Sequence, residues 1–575
     1  MTSSLFQRRF LRARLARAVA LSTLALLACF VLLPRGSHAG AQTDTTDASA
    51  KPAPRTDFVP GEILVRFRGD DAVSGKFAAP QVMTLSTERG ALPVQVERFA
   101  ASDVVEGLRL AHVAPEETEN AVAALNARAD VLYAEPNYLR HKLRAPNDPR
   151  YAEQWALKNT AQTGNDIGAE TAWNTTTGDR SIVVGVVDEG IDINHPDLAA
   201  NIWHNPGEIP ANGLDDDNNG YVDDVNGYDF VHNDASVYDG PGTALDGSPI
   251  DAHGTHVAGT IGATGDNGVG VVGVNWQTSL MSLKFIGADG NGTTADLARV
   301  FAYAKLMRDR WATSGGTQGA NIRVLNNSYG GPAYSRAELD LINALAQSGI
   351  LFVAAAGNGV PVPGSGDVSF NTDFAADYPA GYDAPNVISV AAMTRFNDIA
   401  SFSNTGLRTV TMAAPGQDIL STLPGGTYGT LSGTSMAVPH VAGAAALVCA
   451  ANPNISVGAL RAALIFNGDP FNSAPTGTGR RLRVDKALAA VAEHDTTPPA
   501  FVANLRVTAQ NVRAVTLSWT APGDDGMTGQ AAFYELRYSD RPDSEQQLLA
   551  ISRPAAPGTQ QSITVNLPLK HTGGL

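Results

Sequence analysis

The segment Gly433-Thr434-Ser435-Met436-Ala437-Val438-Pro439-His440-Val441-Ala442-Gly443 runs without a break into Ala444-Ala445-Ala446-Leu447-Val448-Cys449. It carries no Asp, Glu, Lys or Arg, has helical length and shows no amphipathic period. A helix that is apolar on every side has to be enclosed by protein, so the rest of the chain must supply layers around it. Ser435 falls at its expected N-terminus, where unpaired backbone N–H groups and the positive dipole end favour developing negative charge. Pro439 is expected in the first turn, where the N–H it lacks would have no intrahelical partner. Taken alone, the serine reads equally well as a helix cap.

Two upstream stretches change that balance. Ile182-Val183-Val184-Gly185-Val186-Val187-Asp188-Glu189-Gly190 reads as a buried parallel strand that delivers Asp188 at its carboxyl end, where open α/β sheets place their sites. His253-Gly254-Thr255-His256-Val257-Ala258-Gly259-Thr260 reads as a second glycine-marked entry into an apolar helix. The order Asp, His, Ser is that of subtilisin, distinct from chymotrypsin and the α/β-hydrolases. These three motifs resemble the subtilisin-like serine proteases. A fourth, Leu351-Phe352-Val353-Ala354-Ala355-Ala356-Gly357-Asn358, resembles the family's strand leading to its oxyanion asparagine.

The resemblance implies a secreted endopeptidase. Ser435 would attack the peptide carbonyl, His253 would carry the proton, Asp188 would orient the imidazole, and Asn358 with the Ser435 amide would bond the oxyanion. It also implies that Ser328, Tyr329 and Gly330, in Asn326-Asn327-Ser328-Tyr329-Gly330-Gly331, line the primary specificity pocket. Gly290 and Gly292, in Gly287-Ala288-Asp289-Gly290-Asn291-Gly292, would form the opposite edge, so that an extended protein or peptide substrate adds itself as a strand between them. Gly359 follows Asn358 where many relatives have an acid, so a broad or apolar preference is expected rather than a basic one. Glu189 stands where Ser or Thr is usual, and its carboxylate is expected to raise the His253 pKa. His253, His256 and His440 could suggest zinc, but no further ligand is placed by spacing, and His256 and His440 read as structural. A degenerate protease used for binding would have no need of all four site residues. An esterase is disfavoured because Gly-Thr-Ser-Met-Ala is not the Gly-x-Ser-x-Gly elbow.

The chain has 575 residues, too many for one core. Residues 1–41 open with Arg8, Arg9, Arg12, Arg14 and Arg17, then the apolar run Ala18 to Leu33, then small residues, the layout of a secretory signal peptide and short for a membrane span. Residues 42–56 read as a disordered spacer. Residues 57–141 read as a small α+β unit that resembles the family's inhibitory propeptide, which would lie in the cleft and be cut away. Residues 147–493 are expected to form an α/β catalytic domain with a parallel sheet covered by helices on both faces. After a linker at 494–499, residues 500–575 alternate as in an all-β sandwich and resemble an incomplete fibronectin type III domain. A net charge of −16 argues against nucleic acid as a partner.

Only two cysteines occur, one of them in the expected signal, so the mature chain should lack an internal disulfide and bound calcium is an expected source of stability. The calcium candidates lie in Asp215-Asp216-Asp217-Asn218-Asn219-Gly220-Tyr221-Val222-Asp223-Asp224. Asp215, Asp217, Asn219, Tyr221, Asp223 and Asp224 follow the opening of an EF-hand-type loop, without the closing bidentate glutamate. Asp197 resembles a further calcium ligand of the family.

Overall fold

The computed structural model describes residues 30–34, most of 58–139, 145–492 except 245–246, 363–365 and 474, and parts of 502–566. The chain divides into two compact units, 41–142 and the remainder. The expected spacer and linker lie outside the described residues, as does the expected signal apart from 30–34.

The larger unit is organised by a sheet of nine strands. In chain order they are β1 (Gly178–Asp188), β2 (Gly227–Asp229), β3 (Gln277–Lys284), β4 (Ile322–Asn327), β5 (Leu351–Ala355), β6 (Val387–Met393), β7 (Met412–Pro415), β8 (Asp469–Pro470) and β9 (Arg480–Arg481). Their spatial order is β8-β9-β7-β6-β5-β4-β1-β3-β2, parallel throughout except for the terminal β8–β9 pair. Side chains alternate between faces, and the two cores record this directly. Ile182, Val184 and Val186 join one core, with Val324, Val353 and Val390, whereas Val183 and Val187 join the other, with Leu283, Leu325 and Phe352. A sheet buried on both faces explains why its strands read as continuous apolar runs.

Helices α1 (Ala252–Gly262), α4 (Thr434–Ala451), α5 (Val457–Phe466) and α6 (Val484–Ala492) cover the first face, and α2 (Thr294–Thr313) and α3 (Arg336–Gln347) the second. The helix α4 is long and apolar enough to cross a membrane by composition alone, yet 83% of it is buried inside the protein. It packs against β1, β4, β5, β6 and β7, as its lack of a polar face requires. The sheet order reverses at β1, with β3 on one side and β4 on the other. The carboxyl ends of β1, β4 and β5 therefore open on the topological switch point, where α/β sheets hold ligands.

One detail departs from the sequence reading. Pro439 is not in the first turn of α4 but in its interior, five residues after Thr434. Proline there cannot donate to the carbonyl four residues back, that of Ser435, and that carbonyl needs another donor. Ser328 Oγ supplies it at 2.8 Å.

Within the 41–142 unit, Phe58–Phe67, Gln81–Thr87, Gly90–Glu97, Leu108–His112 and Val131–Tyr138 form an antiparallel five-stranded sheet, and a helix at Thr118–Asn126 packs on it. The strands at 506–510, 514–520 and 560–566 form one antiparallel sheet near the C-terminus. In a second sheet, Tyr534–Tyr538 pairs with Gln547–Ser552 and also with Phe30–Pro34, part of the stretch expected to leave as a signal. Trp519 and Tyr534 meet edge to face, with centroids 5.2 Å apart, inside a small core containing Leu517, Leu536 and Val565.

Candidate active site

Asp188 ends β1 and is almost fully buried. Its Oδ1 accepts from the Glu189 amide at 2.9 Å and from His253 Nδ1 at 2.8 Å. That second bond fixes the His253 tautomer with the proton on Nδ1 and leaves Nε2 free to take another proton. The His253 side chain keeps 33% of its surface exposed. Burial lowers its pKa, but the Asp188 charge and hydrogen bond, with the Glu189 charge behind them, outweigh it and raise the group to about 9. The expected effect of Glu189 on His253 is therefore present.

Glu189 also acts through the backbone. Helix α1 starts at Ala252 with Asp251 as its N-cap in the left-handed region (φ 58°) and has no capping side chain of its own. Glu189 Oε1 accepts from the His253 amide at 2.6 Å and so satisfies one orphan N–H of the first turn from outside. Burial and the neighbouring Asp188 push the Glu189 carboxyl up to about 7. Beneath it, Lys284 at the end of β3 is fully buried, bonding Asp251 Oδ1 at 2.7 Å, Asp239 Oδ2 at 3.1 Å and the Glu189 carbonyl. One ammonium thus ties the end of β1 to the cap of α1. The sequence reading missed this group, although a lone lysine in the apolar run Leu283-Lys284-Phe285 is a signal that such a partner set exists.

Ser435 is the second residue of α4 and is half-buried. Its Oγ donates to the Ser328 carbonyl at 3.0 Å, while Ser328 Oγ donates to the Ser435 carbonyl. No Ser435–His253 bond exists among the described residues, so the nucleophile–base contact implied by the family resemblance is not closed here. The single proton of the Ser435 hydroxyl is spent on the Ser328 carbonyl. Contacts of this kind commonly tighten only when substrate arrives.

Asn358 follows β5 and is exposed. Its Oδ1 accepts from the Thr434 amide at 2.9 Å and from Thr434 Oγ1 at 3.0 Å, which orients Nδ2 away from them. A Cβ placed on Gly433 would stand 3.4 Å from Asn358 Nδ2 and 3.6 Å from the Ser435 amide nitrogen, so these two donors border the same small space. Two N–H donors converging beside a hydroxyl are the arrangement that holds a developing oxyanion.

Of the expected substrate residues, Ser328 is buried against Ser435, Tyr329 packs its ring on Phe285 with centroids 4.6 Å apart, and Gly330 is exposed. Gly290 and Gly292 are exposed in the turn between β3 and α2. His256 and His440 spend ring nitrogens on the carbonyls of Ile419 and Met436, both at 2.9 Å. Burial pushes them down to about 3 and about 4.

In the acidic loop the calcium candidates already carry hydrogen bonds within the protein. Asp223 receives the Asn212 and Gly213 amides. Asp224 is fully buried, with both its oxygens taken by Asn205, Asn219 and Tyr303. Asn219 Oδ1 holds the Tyr221 amide, and Tyr221 packs its ring against Tyr228 and Tyr303. Asp215 likewise accepts the Asn219 and Gly220 amides, and Asp217 pairs with Arg310 at 2.9 Å, so bonds within the protein do not separate these candidates from one another. Two of the candidates converge with a residue from outside the loop: Glu208, Asp215 and Asp217 each bring one carboxylate oxygen to within 4.8 Å of the others. Glu208 Oε2 is buried without a partner, and burial pushes that carboxyl above its ordinary range. An all-oxygen donor set with one orphaned carboxylate oxygen fits a hard cation such as calcium. Asp197 stands apart, fully buried, accepting from Asn267 Nδ2 at 2.8 Å and the Val271 amide at 2.9 Å.

Comparison with known proteins agrees with this geometry. The subtilase family matches residues 179–483. A thermophilic serine proteinase of Bacillus sp. (strain AK1) is 32% identical over 398 residues, covering 69% of this chain and 80% of that protein. Subtilisin amylosacchariticus from Bacillus subtilis subsp. amylosacchariticus is 34% identical over 338 residues, covering 58% and 69% respectively. A halolysin-like extracellular serine protease of Natrialba magadii is 33% identical over 335 residues, covering 58% and 50%. The family match begins at the second residue of β1 and runs through the whole nine-stranded sheet, and on that basis the chain belongs to the subtilase family and is a subtilisin-like serine endopeptidase.

Proposed function

We propose that Asp188, His253 and Ser435 form the catalytic triad of a secreted endopeptidase that matures from its own precursor. The observation that carries this reading is the 2.8 Å Asp188–His253 bond, set beside a helix-terminal serine whose amide shares its space with Asn358 Nδ2. Ser435 Oγ leaves the Ser328 carbonyl, attacks the substrate carbonyl carbon and passes its proton to His253 Nε2. The C=O electrons move onto oxygen, where Asn358 Nδ2 and the Ser435 amide bond them. Collapse expels the amine, which takes the proton from His253, and water then repeats the sequence on the acyl-enzyme.

Substrate lies extended between Ser328–Gly330 and the Gly290–Gly292 turn, bonded through its backbone. The 57–141 unit serves as intramolecular inhibitor until it is cut away. The layout of residues 1–41 and the extracellular description of the halolysin-like relative support export. Calcium is held by Glu208, Asp215 and Asp217 as a structural ion, supplying stability and no chemistry.

The test compares purified wild type with Ser435→Ala, with and without calcium, for precursor size and casein cleavage. Wild type is expected to shorten and cut casein while Ser435→Ala stays full length and inert. Equal maturation and cleavage by both would sink the assignment.

A further inference from the structure

The carboxylate of Asp377 lies where the two chain stretches that flank the nucleophile come closest. Ser328–Gly331 leaves β4 past Ser435, and Gly357–Asn358 leaves β5 past the same point. Both stretches touch Asp377 through a glycine. A Cβ placed on Gly330 would stand 3.4 and 3.5 Å from the two Asp377 carboxylate oxygens. One on Gly357, which has a φ of +92°, would collide with Asp377 Oδ2. Glycine at both positions leaves a slot with this carboxylate across it. Burial raises the Asp377 carboxyl above its ordinary range against the pull of the Tyr378 and Gly331 amides, and no described cationic side chain pairs with it.

A substrate whose carbonyl carbon sits near Ser435 Oγ and whose oxygen points at Asn358 must send the side chain on the acyl side of the cut between these two stretches. That side chain meets Asp377. We infer that Asp377 is a specificity-determining residue, and that the enzyme prefers an arginine or lysine immediately before the scissile bond. The inference rests on the reading of Ser435 and Asn358 given above. It departs from the broad or apolar preference expected from Gly359, because the charge comes from a different segment, reaching the slot from beneath. A half-buried carboxylate without a cation is incompletely compensated, and an incoming guanidinium or ammonium supplies what is missing.

The test uses peptide anilides identical except for arginine, citrulline or phenylalanine before the anilide, on mature enzyme whose active concentration is fixed by a fluorophosphonate titrant of the nucleophile. Citrulline matches arginine in shape and lacks only its charge. Wild type is expected to favour arginine over citrulline by about ten- to a hundredfold in kcat/KM. That ratio should collapse toward unity in Asp377→Asn and persist in Asp377→Glu. Citrulline or phenylalanine cleaved as fast as arginine by wild type overturns the inference without any variant, and so does a ratio unchanged in Asp377→Asn. Enzyme that is titrated by the fluorophosphonate but ignores all three anilides also defeats it while leaving the serine chemistry standing. Failure to be titrated overturns the underlying assignment of Ser435.

Discussion

Asn358 is held by its oxygen, and the proposed mechanism uses its nitrogen. Asn358→Ala is expected to lower kcat by about a hundred- to a thousandfold, the magnitude known for loss of an oxyanion donor in subtilisin itself, and to lower the melting temperature without unfolding the chain, because the buried Thr434 amide and hydroxyl lose their acceptor. An unchanged kcat would remove it from the oxyanion site. Glu189 makes a prediction in pH. In the proposed mechanism His253 must be neutral to accept the Ser435 proton, and its pKa is raised to about 9 in part by Glu189. Glu189 titrates near 7 and is therefore ionised across the range in which His253 loses its proton. Glu189→Gln keeps an acceptor for the His253 amide but removes the charge, so the acid limb of kcat/KM against pH should move to lower pH by about half a unit or more. A limb that stays in place would limit Glu189 to its role as a cap. Asp188, His253, Ser435 and Asn358 were legible because each sits in a local pattern of strand end, glycine or helix start. Lys284, Glu208 and Asp377 were not, because what makes each matter is a partner far away in sequence.

Long apolar strands and amphipathic helices were also legible, since burial on two faces or one leaves a periodic trace. Short strands such as Gly227–Asp229 and Met412–Pro415 leave too few residues for any period to show. In the acidic loop the density of aspartates was legible, but not which oxygens converge. Its density of aspartates marks a place needing positive partners, but most of those partners are backbone amides of the loop itself, and the converging oxygens include Glu208 from the preceding turn. Chelation should therefore lower the wild-type melting temperature, calcium at a hundredfold excess over its Kd contributing about 2.7 kcal/mol. Glu208→Gln should melt at the chelated value and ignore added calcium. Calorimetry showing an undiminished calcium response in that variant would move the site elsewhere.

At the scale of the molecule, the catalytic unit holds together without covalent staples. Its single cysteine, Cys449, is buried in α4, and the same burial raises its thiol pKa. Reductant should leave its melting temperature unchanged, whereas a drop would reveal a disulfide that this fold does not provide. The chain relies instead on two cores back to back across one sheet, with α4 threaded along one of them.

The proline inside that helix has a kinetic consequence. By leaving the Ser435 carbonyl for Ser328 to fill, Pro439 brings Ser328 against the nucleophile, and the resting hydroxyl is parked on the Ser328 carbonyl rather than aimed at the imidazole. Under the proposed mechanism, occupancy of the groove is then what arms the enzyme. Small sulfonyl fluorides, which do not fill the groove, should inactivate it far more slowly than peptidyl phosphonates of similar intrinsic reactivity.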